Sequence, residues 1–308
     1  MSTESSEKVY DLLIIGGGPA GLTAAAYAVR KRIETMLISE DLGGKTNHKF
    51  SLPDVETHLI IDGEELVNKF KSQLEYLEFA RHLGKVTKFQ RAGKTFIAAT
   101  PDKQFKGKAA IIATGVTPKR LNVPGEEQFL GHGVSYSTVS HAPLFIDMDV
   151  AIVGDGIEAL QAAAELAQVA KKVNVIGIPK RLIASPLGKK IKDSGKAEFL
   201  TDCTVKEIRG NTSPEKIITE SKTGEGEIPV RGVFIELGYI PNTGLFSRLV
   251  RMNREKRIII DENNETSVTG LFAAGDVTNV NAQQVVIAIG EGANAALSAY
   301  NYLLRLRS

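Results

Sequence analysis

Two glycine-rich loops and a single cysteine are the residues whose types and spacing bear on chemistry. Gly16-x-Gly18-x-x-Gly21 lies between a short apolar run and an alanine-rich stretch. In that pattern the first glycine permits a tight turn, the second lets a pyrophosphate approach the backbone, and the third lets a helix pack on a strand. A helix starting at Pro19 offers free N–H groups and a positive dipole end to phosphates. Glu40 follows at the point where a carboxylate accepts hydrogen bonds from a ribose. Strand, helix and acid together read as a dinucleotide-binding loop; the plain alternative is a tight turn with no ligand. The second loop, Gly154-x-Gly156-x-x-Ala159, has the spacing but carries Asp155 inside it and Glu158 in the first helical turn. Carboxylates there stabilise the helix end themselves and repel a pyrophosphate. Beyond it come Gly177-Ile178-Pro179 where a ribose-binding acid or a phosphate-binding arginine is expected, with Lys180 and Arg181 one residue late. A working nicotinamide site and a vestigial one are both open at this point. Cys203 is the only cysteine, which excludes an intrachain disulfide, a CxxC redox pair and a zinc site built on several cysteines.

The elements that must position these loops follow the same grammar twice. Val9 to Ile15 predicts a strand, Pro19 to Arg30 a helix and Thr35 to Ser39 a strand; Asp149 to Val153, Ile157 to Val169 and Val173 to Ile176 repeat the order. Glu64 to Ala80 predicts an amphipathic helix, and Val285 to Leu304 a long apolar one. Further strands are expected at Val86 to Gln90, Thr95 to Ala99, Val205 to Ile208, Ile217 to Glu220, Val233 to Leu237 and Ile258 to Asp261. Gly115 to Arg120 and Gly238 to Gly244 read as paired linkers. The expected fold is therefore α/β, with two Rossmann-like domains, the second inserted into the first: 1–117 and 243–308 around 118–242.

The 308 residues are 43% hydrophobic with a net charge of +2, so no bulk charge points to nucleic acid or an anionic membrane. The opening residues have neither a basic nor an apolar signal segment, and a soluble cytoplasmic protein is expected.

These residues carry a resemblance. The sequence resembles the low-molecular-weight thioredoxin reductases, FAD-dependent members of the pyridine nucleotide-disulfide oxidoreductase group. The matching stretches run in order from Ile14 to Leu22 through Gly43-Gly44, Ala113-Thr114-Gly115, Leu121 to Gly125 and Gly133 to Tyr136, ending with Gly270 to Val277 (GLFAAGDV). The resemblance implies FAD at the first loop. Gly16, Gly18, Pro19 and Ala20 would hold its pyrophosphate and Glu40 its adenosine ribose. Gly43, Gly44 and Thr46 would wrap the phosphate and ribityl side, with the backbone of His82 and Leu83 at the adenine. Thr114 and Gly115 would line the cleft, Gly275 and Asp276 would meet the ribityl chain or flavin phosphate, and Gln284 and Val285 would lie at the flavin. It also implies a homodimer.

The departures are as informative. The family's CxxC pair and the acid after it fall on Ser137, Ser140 and His141. A hydroxyl cannot perform thiol–disulfide exchange, and Cys203 is distant in sequence. Gly177-Ile178-Pro179 stands where the NADPH-binding form carries His-Arg-Arg, so NAD(P)H is doubtful as a cofactor. Thr57 aligns loosely with a family Asn near the flavin. His141 is a candidate catalytic proton-transfer group; its plain reading is a linker-proximal or surface histidine. Arg248, Arg251, Arg254, Lys256 and Arg257 form a basic cluster suited to an acidic electron donor such as ferredoxin or flavodoxin, or simply a solvated face. The leading expectation is an FAD-binding oxidoreductase of thioredoxin reductase-like architecture without a redox disulfide. The alternatives are a non-catalytic flavin-binding regulator and a ferredoxin–NAD(P) reductase-type enzyme.

Overall fold

The computed structural model describes residues 8–56, 60, 63–280 and 282–307. The chain packs as two compact units: Met1–Asn47, Gly63–Thr117 and Pro241–Ser308 form the first, and His48–Asp62 with Pro118–Ile240 the second.

In the first unit β1 (Val9–Ile15) is buried on both faces. Leu12 and Ile14 enter one core cluster, Leu13 and Ile15 the other, which is why the run is continuously apolar. The chain then forms α1 (Pro19–Arg30), β2 (Thr35–Ser39), α2 (Gly63–Tyr76) and β3 (Arg81–Leu83). The hairpin β4 (Lys88–Ala92) and β5 (Thr95–Ala99) leads into β6 (Gln104–Ile112). The sheet runs β3-β2-β1-β6-β5-β4. The far edge of β6 is shared. Its first half pairs antiparallel with β5, and its second half pairs parallel with β17 (Leu271–Ala273). The alanines of α1 admit α7 (Val285–Arg307) closely: a Cβ on Gly292 would lie 2.1 Å from the Ala20 carbonyl oxygen.

Short strands β7 (Val116–Pro118) and β16 (Tyr239–Pro241) carry the chain out of the first unit and back. In the second unit, β8 (Val134–Ser135), α3 (Thr138–His141), β9 (Asp149–Val153), α4 (Ile157–Val169) and β10 (Lys172–Ile176) come first. After α5 (Lys180–Ile183), α6 (Pro186–Asp193) and β11 (Ala197–Leu200) come three antiparallel strands. These are β12 (Cys203–Gly210), β13 (Pro214–Ser221) and β14 (Gly224–Pro229), and β15 (Gly232–Ile235) closes the unit. The parallel sheet has the order β11-β10-β9-β15-β8. Both units thus repeat a parallel βαβ plan of Rossmann type.

Four expectations need correction. Residues 48–62, placed by sequence in the first domain, cluster with the second unit: Phe50 and Leu52 are buried with Phe145 and Leu144, and the Ser51 N–H donates to Gly131 O at 2.8 Å. The return to the first unit comes at Pro241 rather than at 243. Ile258 to Asp261 forms no strand; Ile258 makes only isolated bridges to Met252 and Thr278. The helix expected to reach Ala80 ends at Tyr76, followed by a 3-10 turn at Glu78–Ala80.

Candidate functional site

In the first unit the sequence-predicted residues gather at the carboxyl ends of parallel strands, the place where open α/β sheets take ligands. Gly16 follows β1, Glu40 follows β2, His82 and Leu83 end β3, Thr114 and Gly115 follow β6, and Gly275 and Asp276 follow β17. The glycines divide into two kinds. A Cβ on Gly16 (φ +111°) would lie 2.3 Å from Ala113 O, and one on Gly21 only 1.8 Å from Gly16 O, so both are required by packing. A Cβ on Gly18 or Gly115 would meet no atom within 4 Å. Those two border open space, as a loop that admits a ligand against its backbone must. Gly18 is the N-cap of α1 and Pro19 its first residue, with Ala20 behind.

A second segment lies against this loop. The Gly43 N–H donates to Gly17 O at 2.7 Å, and a Cβ on Gly44 would lie 3.1 Å from the Gly18 Cα. The Thr46 hydroxyl donates to Gly43 O at 2.8 Å, and Asp41 accepts from the Gly44 N–H at 2.8 Å. Glu40 is exposed and pairs with Lys85 at 3.3 Å. The His82 ring lies 3.5 Å from Asp102 and 4.9 Å from the Phe105 ring centre, and Leu83 is exposed. Asn242 clasps Thr114–Gly115: its amide donates to Thr114 O at 2.9 Å and its backbone N–H to Gly115 O at 3.0 Å.

The Gly275–Asp276 pair is held from several sides. Glu291 accepts from the Gly275 N–H at 2.6 Å, and burial raises the Glu291 pKa. The Lys45 ammonium is 2.6 Å from the Asp276 carboxylate, and the Arg257 guanidinium donates to the Asp276 carbonyl. Next to Gln284 and Val285, at the start of α7, the buried Gln283 Oε1 has no hydrogen-bond partner among the described residues. Sequence reasoning missed Lys45, Asn242, Gln283 and Glu291. Lys45 was open to inspection, since it lies between Gly44 and Thr46. Arg257 was assigned to an exposed basic cluster; it is instead turned inward, 13% exposed, while Arg248, Arg251, Arg254 and Lys256 stay at the surface.

In the second unit the two serines that replace the family's cysteines meet: Ser137 Oγ donates to Ser140 Oγ at 2.9 Å. His141 Nδ1 is 2.7 Å from Ser135 Oγ, and the ring stacks on Phe50 at 4.1 Å between centres. Burial lowers the His141 pKa from its ordinary 6.5 to about 4, so the imidazole is neutral at physiological pH. It is therefore not the surface histidine of the plain reading. Cys203 heads β12 in the antiparallel sheet, half-buried, its thiol pKa raised by burial. At the second glycine loop a Cβ on Gly156 would lie 2.5 Å from Glu158 Oε2, so the carboxylate folds back over the loop. Ile178 is buried, and Lys180 lies 3.9 Å from Asp202. Thr57 lies outside the described residues. Among the described residues no group of His, Cys, Asp and Glu could hold a metal ion, and no helix is long and apolar enough to cross a membrane.

An α/β protein with two Rossmann-type units and an open glycine loop on the first is the class this geometry defines. The family model of the pyridine nucleotide-disulphide oxidoreductases matches residues 10–292. A thioredoxin reductase from Streptococcus pyogenes MGAS5005 is similar in structure, with a TM-score of 0.85 and 36% identity over 97% of this chain and 100% of that one. A ferredoxin-flavin thioredoxin reductase from Clostridium acetobutylicum has a TM-score of 0.51 and 30% identity, over 97% of this chain and 99% of that one. An NADH dehydrogenase from Bacillus subtilis (strain 168) is 33% identical over 311 residues, covering 98% of this chain and 61% of that protein. The chain thus spans about three fifths of the length of the curated relatives it matches. This chain belongs to the pyridine nucleotide-disulphide oxidoreductase family. Its architecture is that of the thioredoxin reductase-like flavoproteins, the members of this family that bind FAD.

Proposed function

We propose that this chain passes electrons from an external donor to an acceptor through FAD held at the first glycine loop, without a redox disulfide of its own and without NADPH. The observation that carries the reading is the Ser137–Ser140 hydrogen bond, 2.9 Å long, where the family has its cysteine pair. Two hydroxyls bonded to each other supply neither the thiolate nor the sulfur leaving group that disulfide exchange needs.

Bound at the first loop, FAD supplies the redox chemistry, and the protein binds and orients it. Gly16, Gly18, Pro19 and Ala20 would hold the pyrophosphate against open backbone and the start of α1. Glu40 would accept from the ribose, with the backbone of His82 and Leu83 beside the adenine. Gly43, Gly44 and Thr46 would close over the phosphate side. Thr114, Gly115, Gly275 and Asp276 would line the middle, and Gln284 and Val285 the flavin end. The Gln283 oxygen just before α7, without a hydrogen-bond partner among the described residues, fits a polar ligand edge there.

In the second unit, Glu158 over its own loop and the buried Ile178 both oppose a dinucleotide phosphate. The related ferredoxin-flavin thioredoxin reductase points to a reduced iron–sulfur protein as the class of donor. The exposed Arg248, Arg251, Arg254 and Lys256 suit an acidic protein of that kind. A homodimer, implied by the family resemblance, goes with this reading.

The test is anaerobic mixing of the purified yellow protein with NADPH, NADH and reduced ferredoxin, following the visible flavin band. Bleaching by ferredoxin alone is expected, with no turnover of a disulfide substrate. Rapid bleaching by NADPH or NADH, or disulfide turnover, overturns the reading. A flavin that no donor reduces favours a non-catalytic regulator, and NAD(P)+ reduction by ferredoxin-loaded protein a ferredoxin–NAD(P) reductase.

A further inference from the structure

Lys45 stands in the segment that lies on the glycine loop, one residue beyond the Gly44 whose missing Cβ lets it approach Gly18. Its ammonium reaches across to the end of β17 and rests 2.6 Å from Asp276, whose side chain is only 12% exposed. It therefore bridges the two walls between which a dinucleotide bound at Gly18 would run. Lys45 and Arg257 hold the Asp276 carboxylate and carbonyl, and Glu291 holds the Gly275 N–H. A lysine ammonium has three donors in tetrahedral array, so contact with Asp276 is compatible with service to a further acceptor. A pyrophosphate brings two negative charges into this frame. Of these three charged side chains that hold the Gly275–Asp276 segment, Lys45 is the one that comes from the segment lying directly on Gly18.

We infer that Lys45 is a diphosphate-binding residue. It contacts the pyrophosphate of the bound dinucleotide while remaining on Asp276, and so joins the phosphate site to the ribityl site. This inference rests on the first loop being the FAD site. The ligand class is a nucleoside diphosphate moiety, and the flavin ring contributes nothing to the contact. A charge-assisted hydrogen bond of this kind is sensitive to salt and retained by arginine.

The test uses flavin-stripped protein, wild type and the variants Lys45→Met and Lys45→Arg, titrated with FAD, ADP and riboflavin. Thermal melts of each variant check that the fold is retained. Lys45→Met is expected to weaken FAD and ADP by a similar factor, about tenfold, and to leave riboflavin unchanged. Lys45→Arg is expected to recover most of the loss, and the salt dependence of FAD binding to flatten in Lys45→Met. Three results overturn the inference while wild type binds FAD normally. They are no loss of FAD or ADP affinity, a loss confined to FAD and riboflavin, which would mean that Lys45 acts only through Asp276, and an equal loss for all three, which would mean that it only holds the loop. Wild-type protein that binds none of the three refutes the FAD reading itself and the inference with it.

Discussion

Acidification should destabilise the protein through one buried imidazole. His141 stacks on Phe50, bonds Ser135, and has its pKa pulled from 6.5 to about 4 by burial. Because the folded-state pKa lies below the unfolded one, the unfolded chain takes up the proton first. The contribution is fully present above about pH 6.5 and is lost as the pH falls towards about 4. A difference of about 2.5 units is worth about 3 kcal/mol in full, and about 2 kcal/mol of it goes between pH 7 and pH 5. The perturbation that isolates this group is His141→Phe. Phenylalanine keeps the apolar stack and cannot be protonated, and Ser135 Oγ keeps its bond from the Ser137 N–H. Urea unfolding of wild type and variant at pH 7 and pH 5 should show a stability loss about 2 kcal/mol larger in wild type. A proton NMR titration of the imidazole should place it near 4. Equal pH dependence in the two proteins, or an imidazole that titrates at its ordinary value, would refute the burial argument.

Further tests separate packing from ligand binding. Gly18→Ala should leave the melting temperature of the flavin-free protein within about 1 °C, because its Cβ meets nothing, yet weaken FAD binding at least tenfold; Gly21→Ala, with its Cβ 1.8 Å from Gly16 O, should lower stability itself by about 3 kcal/mol. If both variants behave alike by calorimetry and titration, the distinction between the glycines is wrong. Ser137→Cys combined with Ser140→Cys should create a thiol pair that oxidises reversibly, since the parent oxygens lie within 2.9 Å; thiol counting after oxidation that still finds both thiols refutes it. Glu158→Ala removes the carboxylate over the second loop and should tighten NADH binding several-fold by calorimetry; no change would shift the blame to Ile178. Arg257→Met should cost about 1–3 kcal/mol of stability by loss of its bond to Asp276 O, while leaving donor docking intact in salt-dependent kinetics.

Much of this fold was legible because its strands and helices are locally consistent. β1, α1, β2, β9 and α4 begin and end where the apolar runs and glycines put them. What the sequence hid depends on contacts made at long range. Residues 48–62 carry no composition shift that separates them from the first domain, and long-range contacts such as Phe50 against Phe145 and His141 and the Ser51 N–H on Gly131 O assign them elsewhere. Arg257 reads as one of five clustered cations until the carbonyl of Asp276, nineteen residues on, is seen to accept from it. Ile258 has strand-forming neighbours, but its partners, Met252 and Thr278, offer one bridge each. The site followed the same division. Glycine positions were readable from motif spacing, whereas Lys45, Asn242 and Glu291, which hold residues of the candidate site, are ordinary polar residues until folding brings them to Asp276, Thr114 and Gly275.

The two glycine loops share a backbone plan and differ in what their helix ends are left to do. Both helices start from an extended glycine, Gly18 for α1 and Gly156 for α4, so neither has a capping side chain at that position. α1 has no acid in its first turn, and its positive end stays uncompensated by its own residues. A diphosphate is the natural complement, and the space beyond Gly18 is open. α4 carries Glu158 in its first turn, folded back to Gly156, so the same dipole is already answered from within. Two further carboxylates, Glu165 and Glu236, are held protonation-prone by burial in that unit, and Glu158 adds to the repulsion at Glu236. A second phosphate group there would meet the Glu158 carboxylate at the helix end. On the proposed reading, the serines at Ser137 and Ser140 and the Glu158 carboxylate at the second loop are separate physical features of one unit. On that reading each would remove a step that joins a nicotinamide to a disulfide. In the first unit Gly18 and Gly115 border open space, which is what the proposed flavin site requires of its backbone.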